Sequence, residues 1–236
     1  MNFLIYGNDC RHPLVTTRLI EAGYTLQAPA ELLILSPKES FSAHTDVIKE
    51  GCRIWGGPAT ETAALQTAGY KKIKQSDEFR RKNSMYTAEG ALALAIAETG
   101  KALCESKVFI LGYGFLGKEC TRLFALLGAD VTVYTENQTE LAQATLDGYR
   151  AMKLTDLSAL DGALLLNTIP HPVLDTLAVS ADKEPALLIE LASTPCTTKE
   201  IAGLQILPAG ALPSRFSPAS AAMLMYDEIL SQLKKE

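Results

Sequence analysis

The chain has 236 residues, of which 21% are charged and 47% hydrophobic. That is the balance of an ordinary globular protein, with length for one large or two small domains. A formal net charge of −5 leaves no basic footprint, which argues against nucleic acid as a partner. Five cysteines (Cys10, Cys52, Cys104, Cys120, Cys196) are odd in number and scattered, with no CxxC spacing and three histidines in the whole chain. Neither a disulfide framework nor a zinc site is indicated, and most of the thiols read as core residues in a reducing cytoplasm.

The chain opens directly on an apolar strand, residues 3–6, so no signal peptide is expected. A helix over 12–22 follows, then a short strand at 24–27 and a buried strand at 31–36. A helix over 43–50 with Ser42 as N-cap comes next, then a strand at 52–55, a helix over 60–68 capped by Thr60, and a strand at 70–73. Such alternation predicts a parallel sheet with helices on both faces. Functional groups collect at the carboxyl ends of strands in sheets of this kind. Here those ends carry Gly7-Asn8-Asp9-Cys10-Arg11, Ser36-Pro37 and Gly56-Gly57-Pro58. Gly7-Asn8-Asp9 lacks the later glycines of a phosphate loop and reads as a plain turn, with Asp9 or Arg11 facing a cleft.

Residues 71–82 (KKIKQSDEFRRK) mix both signs of charge and read as a solvated connection between domains. An alanine-rich helix is expected from Thr87, its N-cap, to Thr99, with Glu89 in the first turn and Gly100 as the stop. It is too short and too charged to span a bilayer. Its N-terminus is expected in the cleft between the domains, which gives it either a substrate-binding role or that of a linker.

Residues 108–111 are a second apolar strand, ending in Gly112-Tyr113-Gly114-Phe115-Leu116-Gly117. A helical pattern follows, with Leu116, Cys120, Leu123, Phe124 and Leu127 on one face and Gly128 as its stop; another apolar run begins at Val131. Strand, glycine turn, helix and strand are the setting in which GxGxxG binds a dinucleotide. Gly112 permits the tight turn, Gly114 lets the backbone approach a diphosphate, and Gly117 lets the helix pack on its strand. The helix N-terminus then offers amides and a partial positive charge to the phosphates. Beyond it the pattern gives a helix over 138–146, strands at 149–153, 163–167, 186–191 and 205–207, and small helices near 156 and 174–179. A loop at 208–218 carries Arg215, and an amphipathic helix over 219–234 is expected to pack on one of the two sheets.

Several segments in order resemble one family, the A subunit of dipicolinate synthase. They are Gly7, Asp9 and Arg11; Asn83-Ser84, Thr87 and Glu89-Gly90; Ile110-Leu111-Gly112-Tyr113-Gly114; and Leu127-Gly128-Ala129. Asn167-Thr168-Ile169-Pro170, Leu191-Ala192-Ser193, Leu212-Pro213 and Pro218 complete the match, which spans nearly the whole chain. The resemblance implies a flavodoxin-like α/β N-terminal domain followed by a Rossmann dinucleotide-binding domain. It also implies NADP-dependent oxidation of a dihydropyridine dicarboxylate to dipicolinate in sporulating bacteria, together with a second, flavoprotein-like B subunit. The chain departs from the family pattern in a shorter N-terminal domain, in Thr194, Cys196 and Thr197 where a basic residue and two glycines are expected, and in Ala219 where a lysine is expected.

The expected layout is a small domain over 1–82, a connecting helix over 83–106, a Rossmann domain over 107–218 and a C-terminal helix over 219–236. The coenzyme is expected on Gly112, Tyr113, Gly114, Phe115, Leu116 and Gly117, with its nicotinamide near Asn167, Thr168, Ile169, Pro170, Leu191 and Ala192. Thr135-Glu136-Asn137 stands where the adenosine ribose is read, and no Lys or Arg occurs between Val131 and Tyr149. Of NAD and NADP, that charge pattern favours NAD, against the family expectation. A dicarboxylate substrate is expected on Arg11, Asn83, Ser84, Thr87 and Arg215, with Glu89 or His171 as the base that removes a proton. A homo-oligomer is expected, with no membrane partner. The alternatives are another small-molecule dehydrogenase on the same scaffold, or a non-catalytic nucleotide sensor that regulates a partner.

Overall fold

The computed structural model describes residues 1–57, 61–181 and 183–234. It divides into two compact units, one of residues 1–82 with 217–236 and one of residues 83–216.

The first unit begins with β1 (Asn2–Tyr6), α1 (His12–Glu21), β2 (Thr25–Leu26), β3 (Ala30–Leu35), β4 (Ile48–Trp55), α2 (Thr62–Thr67) and β5 (Lys71–Lys72). The strands are all parallel, in the order β2-β1-β3-β4-β5, which is the flavodoxin-like doubly wound order. β3 reads AELLIL and is buried at all but one position, as a central strand must be when both faces are covered. Leu33, Leu35 and Ile54 pack with Phe41 and Leu65 into one core cluster.

Two expectations are corrected here. Residues 43–50 are not a helix: a 3-10 segment, Phe41–Val47, ends at Ile48, and 48–50 join β4. Ser40, not Ser42, is the cap, its Oγ accepting from the Ser42 amide at 3.2 Å. β-branched Val47 and Ile48 suit a strand better than a helix, and tertiary pairing decided the matter. The cap expected at Thr60, with Pro58, lies outside the described residues; α2 begins after Glu61.

The next helix, α3 (Asp77–Thr99), starts well before Thr87. Its N-terminus is set by Ser76, whose Oγ accepts from the Phe79 amide at 3.1 Å, with Asp77 and Glu78 in the first turn. Thr87 is therefore not an N-cap. Its hydroxyl donates back to the Asn83 carbonyl at 2.7 Å, the usual mid-helix bond of threonine. Glu89 lies in the helix interior rather than its first turn, and residues 77–82 are helical rather than a loose connection.

The second unit contains β6 (Lys107–Leu111), α4 (Phe115–Leu126), β7 (Asp130–Tyr134), α5 (Gln138–Leu146), β8 (Arg150–Met152), β9 (Leu164–Asn167), β10 (Ala186–Glu190), β11 (Leu204–Pro208) and α6 (Leu212–Phe216). The order is β11-β10-β9-β6-β7-β8, again all parallel. Counted from β6 this is the Rossmann order, with the chain reversing direction between β6 and β9. The helix expected near 174–179 is a single 3-10 turn, Val173–Thr176, and the loop expected at 208–218 holds α6 with Arg215 in its last turn. Within this unit α3 buries Ala88, Ala91 and Ala95 at helical spacing. Gly90 is needed there because a Cβ would stand 2.8 Å from that of Leu212.

The last helix, α7 (Pro218–Lys234), belongs to the first unit and packs on α1. Its buried Glu228 accepts from the Ser76 amide at 2.7 Å and the Ser76 hydroxyl at 2.8 Å. Leu233 accepts from Arg53 at 3.2 Å.

Candidate dinucleotide site

The glycine turn of the second unit joins β6 to α4 at the topological switch, and each of its glycines meets a different constraint. Gly112 has φ +92°, a left-handed conformation open to glycine. A Cβ there would stand 2.7 Å from Thr168 Oγ1 and 2.9 Å from Ile169. A Cβ on Gly117 would overlap the Gly112 carbonyl, so α4 could not close on its strand. Gly114 differs. Its φ of −70° suits any residue, it is exposed, and a Cβ built on it would meet nothing nearer than Glu140 Oε1 at 3.9 Å. Among the described residues a side chain would fit at 114, whereas a diphosphate lying on the backbone would exclude one. Gly114 is also the N-cap of α4, whose ladder opens with the Lys118 amide donating to the Gly114 carbonyl at 2.9 Å. The first-turn amides before it lie outside that ladder and point towards the turn.

Around the turn the side chains are committed. Tyr113 is buried at 2% exposure, its hydroxyl donating to Asp147 at 2.8 Å. Burial and that partner push its phenol well above the usual range. It contributes packing rather than a ligand-facing ring, and its amide donates to Glu140 Oε2 at 2.9 Å. Phe115 and Leu116 stand at the start of α4, the latter half-buried. Thr135 is buried beyond β7, and its hydroxyl donates to Glu140 Oε2 at 2.8 Å. Asn137 caps α5, its Oδ1 accepting from the Thr139 and Glu140 amides at 3.0 and 3.2 Å. Glu136 accepts from the Thr155 amide at 2.8 Å.

On the other side of the switch, Asn167 is fully buried. Its Nδ2 donates to the Ile169 carbonyl at 3.0 Å and to Glu190 Oε1 at 2.6 Å, while its Oδ1 accepts from the Ile169 amide at 3.0 Å. Thr168 Oγ1 donates to the Leu111 carbonyl at 2.7 Å. Asn167 and Thr168 thus shape the loop to exposed Pro170 rather than present their own polar groups. Leu191 and Ala192 are half-buried, with the Leu191 amide bonded to the Asn167 carbonyl at 3.0 Å. Glu190, absent from the sequence-based site, accepts from three donors: Asn167, the Ala192 amide at 3.1 Å and the Cys196 amide at 2.8 Å. The signal was an acid ending an apolar strand in register with Asn167. Burial, then the Glu190 charge, raises the Cys196 thiol far above its ordinary value.

The expected substrate and proton-transfer residues are not gathered by the second unit into one cluster of bonded groups. Ser84 is buried on the core side of α3, Asn83 and Thr87 are half-buried, and Glu89 is exposed. His171 is exposed beyond β9, and exposed Arg215 lies 4.9 Å over the Phe216 ring. In the first unit Arg11 forms a two-pronged pair with Asp9, Nε to Oδ1 at 3.0 Å and Nη2 to Oδ2 at 2.6 Å. Burial alone would raise the Asp9 carboxyl; the hydrogen bonds and charge of Arg11 outweigh it and hold it below the usual range. The Arg11 charge is therefore balanced within the chain.

A parallel sheet in Rossmann order and a glycine turn at its switch point define a class: a Rossmann fold with the glycine turn of dinucleotide-binding proteins. No protein-family model matches the chain. It is 30% identical over 203 residues to the A subunit of dipicolinate synthase from Bacillus subtilis (strain 168), an alignment covering 82% of this chain and 68% of that protein. The chain belongs to that family, the dipicolinate synthase A subunits. The crystal structure of the A subunit from Bacillus subtilis superimposes with a TM-score of 0.76 at 21% identity, covering 100% of this chain and 98% of that one. The NAD-complexed D-isomer specific 2-hydroxyacid dehydrogenase from Lactobacillus delbrueckii ssp. bulgaricus shares the fold with a TM-score of 0.53 at 11% identity, covering 99% of this chain and 96% of that one.

Proposed function

We propose that the protein binds NAD or NADP on its glycine turn and oxidises a dihydropyridine dicarboxylate to pyridine-2,6-dicarboxylate, in concert with a flavoprotein-like second subunit. The observation that carries the reading is Gly114: at the opening of α4 it leaves open space beside the backbone that a diphosphate would use. The nicotinamide, when bound, supplies the hydride acceptor. The chain's own tasks are orientation and proton handling. The opening of α4 favours the diphosphate through its dipole and amides. Buried Asn167 and Glu190 hold the loops at the ends of β9 and β10 in fixed positions, the preorganisation that hydride transfer needs. Arg215 supplies a planar cation for a substrate carboxylate, and half-buried Asn83 and Thr87 of α3 supply polar contacts, while buried Ser84 packs on the core side. Glu89 or His171 accepts the proton released as the ring becomes aromatic.

The pairing of Arg11 with Asp9 favours a second reading, another small-molecule dehydrogenase with a less acidic substrate. Incubation of the purified protein with the dihydropyridine dicarboxylate and either coenzyme, with and without the flavoprotein-like partner, separates them by the absorbance of reduced nicotinamide. Turnover supports the first reading. No turnover in any combination, with coenzyme binding intact, removes it and leaves the second.

A further inference from the structure

Two acids stand near the adenosine end of the glycine turn, and they face different ways. Glu136 occupies the place where Rossmann enzymes read the ribose, but its Oε1 accepts from the Thr155 amide at 2.8 Å and so serves the 3-10 turn Leu154–Asp156. Glu140, in the first turn of α5, reaches back into the glycine turn. Its Oε2 accepts from the Tyr113 amide at 2.9 Å and from the Thr135 hydroxyl at 2.8 Å, and its Oε1 stands 3.9 Å from the Cβ position of Gly114. The Asn137 cap fixes its backbone.

The carboxylate therefore bridges the diphosphate turn and the end of β7, and it brings a negative charge to both. Neither of the two cations in residues 112–149 is bonded to it. Lys118 lies 5.4 Å over the Tyr113 ring, and Arg122 is paired with Glu119 at 3.0 Å. We propose that Glu140, rather than Glu136, sets the coenzyme choice of this site by excluding the 2′-phosphate of NADP. The inference rests on the dinucleotide reading above. An added phosphate dianion beside a fixed carboxylate is repelled, whereas the ribose hydroxyl of NAD is a donor the same carboxylate can accept.

The test is calorimetric or fluorescence titration of NAD and NADP into the wild type, Glu140→Gln and Glu136→Gln. Glu140→Gln retains one oxygen for the Tyr113 amide, removes the charge and puts an NH2 donor in place of the other oxygen, so its NADP-to-NAD affinity ratio is expected to rise by about tenfold or more. Glu136→Gln is expected to move the ratio by less than about threefold. Glu140→Asp keeps the charge and should keep the wild-type preference, which guards the result against a fold defect in the glutamine variant. An unmoved ratio in Glu140→Gln, or an equal shift in Glu136→Gln, overturns the inference alone. Failure of the wild type to bind either coenzyme overturns the dinucleotide reading and the inference with it.

Discussion

Glu190 Oε1 accepts from Asn167 Nδ2 at 2.6 Å, across two strand ends that pair directly in the sheet. One buried carboxylate thereby ties the loops after β9 and β10, since it also holds the Ala192 and Cys196 amides. Glu190→Ala leaves three donors without their acceptor, and each buried unmade bond costs on the order of 1–3 kcal/mol. Urea unfolding should show a loss of about 3 kcal/mol or more, with Glu190→Gln less affected. A loss below about 1 kcal/mol would remove Glu190 from its tying role.

The same logic applies to Ser76 and Glu228. Glu228 accepts from both the amide and the hydroxyl of the residue that caps α3, which places an acid where the helix dipole favours it. Glu228→Ala should lower stability by about 1–3 kcal/mol, and hydrogen exchange should show the first turn of α3 opening before the rest. Uniform protection along α3 would contradict this.

Thiol reactivity follows burial. Cys10 and Cys104 are exposed, whereas Cys52, Cys120 and Cys196 are buried. Burial pushes the Cys52 and Cys120 thiols up to about 12 and Cys196 higher still, so little thiolate forms near neutral pH. Titration with a chromogenic disulfide at about pH 8 should label Cys10 and Cys104 quickly and the other three only after unfolding. Rapid labelling of Cys120 in the folded protein would contradict the packing of α4.

His12 makes stability depend on pH. Burial lowers its pKa from 6.5, against the pull of Asp9, and its Nε2 is buried without a hydrogen-bond partner. The unfolded chain takes up the proton first as pH falls. The stability linked to neutral His12 is thus complete above about pH 6.5 and is lost as pH drops through the lower folded value. Thermal unfolding from about pH 7 to 5 should show this decline, and His12→Leu should flatten it. An unchanged slope in that variant would assign the decline to other groups.

Much of this architecture was legible in the sequence. Short apolar runs placed the strands of both sheets, and Gly112, Gly114 and Gly117 marked the switch point, because those signals are local. The start of α3 was not legible: Ser76 is a good cap, but the mixed charges after it read as solvated chain, and its partner Glu228 lies far along the sequence. The 43–50 segment failed for the same reason, since pairing of β4 with β3 overrode a weak helical pattern. In the site, Asn167 was marked as a candidate, but its bond to Glu190 was not legible, because it runs across a strand pair. Glu140 was hidden likewise, in that its contact with Tyr113 exists only once α5 folds back on the turn.

Calorimetric titration of NAD and NADP into the wild type and Gly114→Ala is the most direct measurement of the central claim. The added methyl fits the chain and should cost no more than about 1 kcal/mol of stability, yet it stands where the diphosphate must approach. Binding by the wild type, with affinity reduced about tenfold or more in the folded variant, is the predicted result. Equal affinities for the two proteins, or no heat from either coenzyme with the wild type, would contradict it.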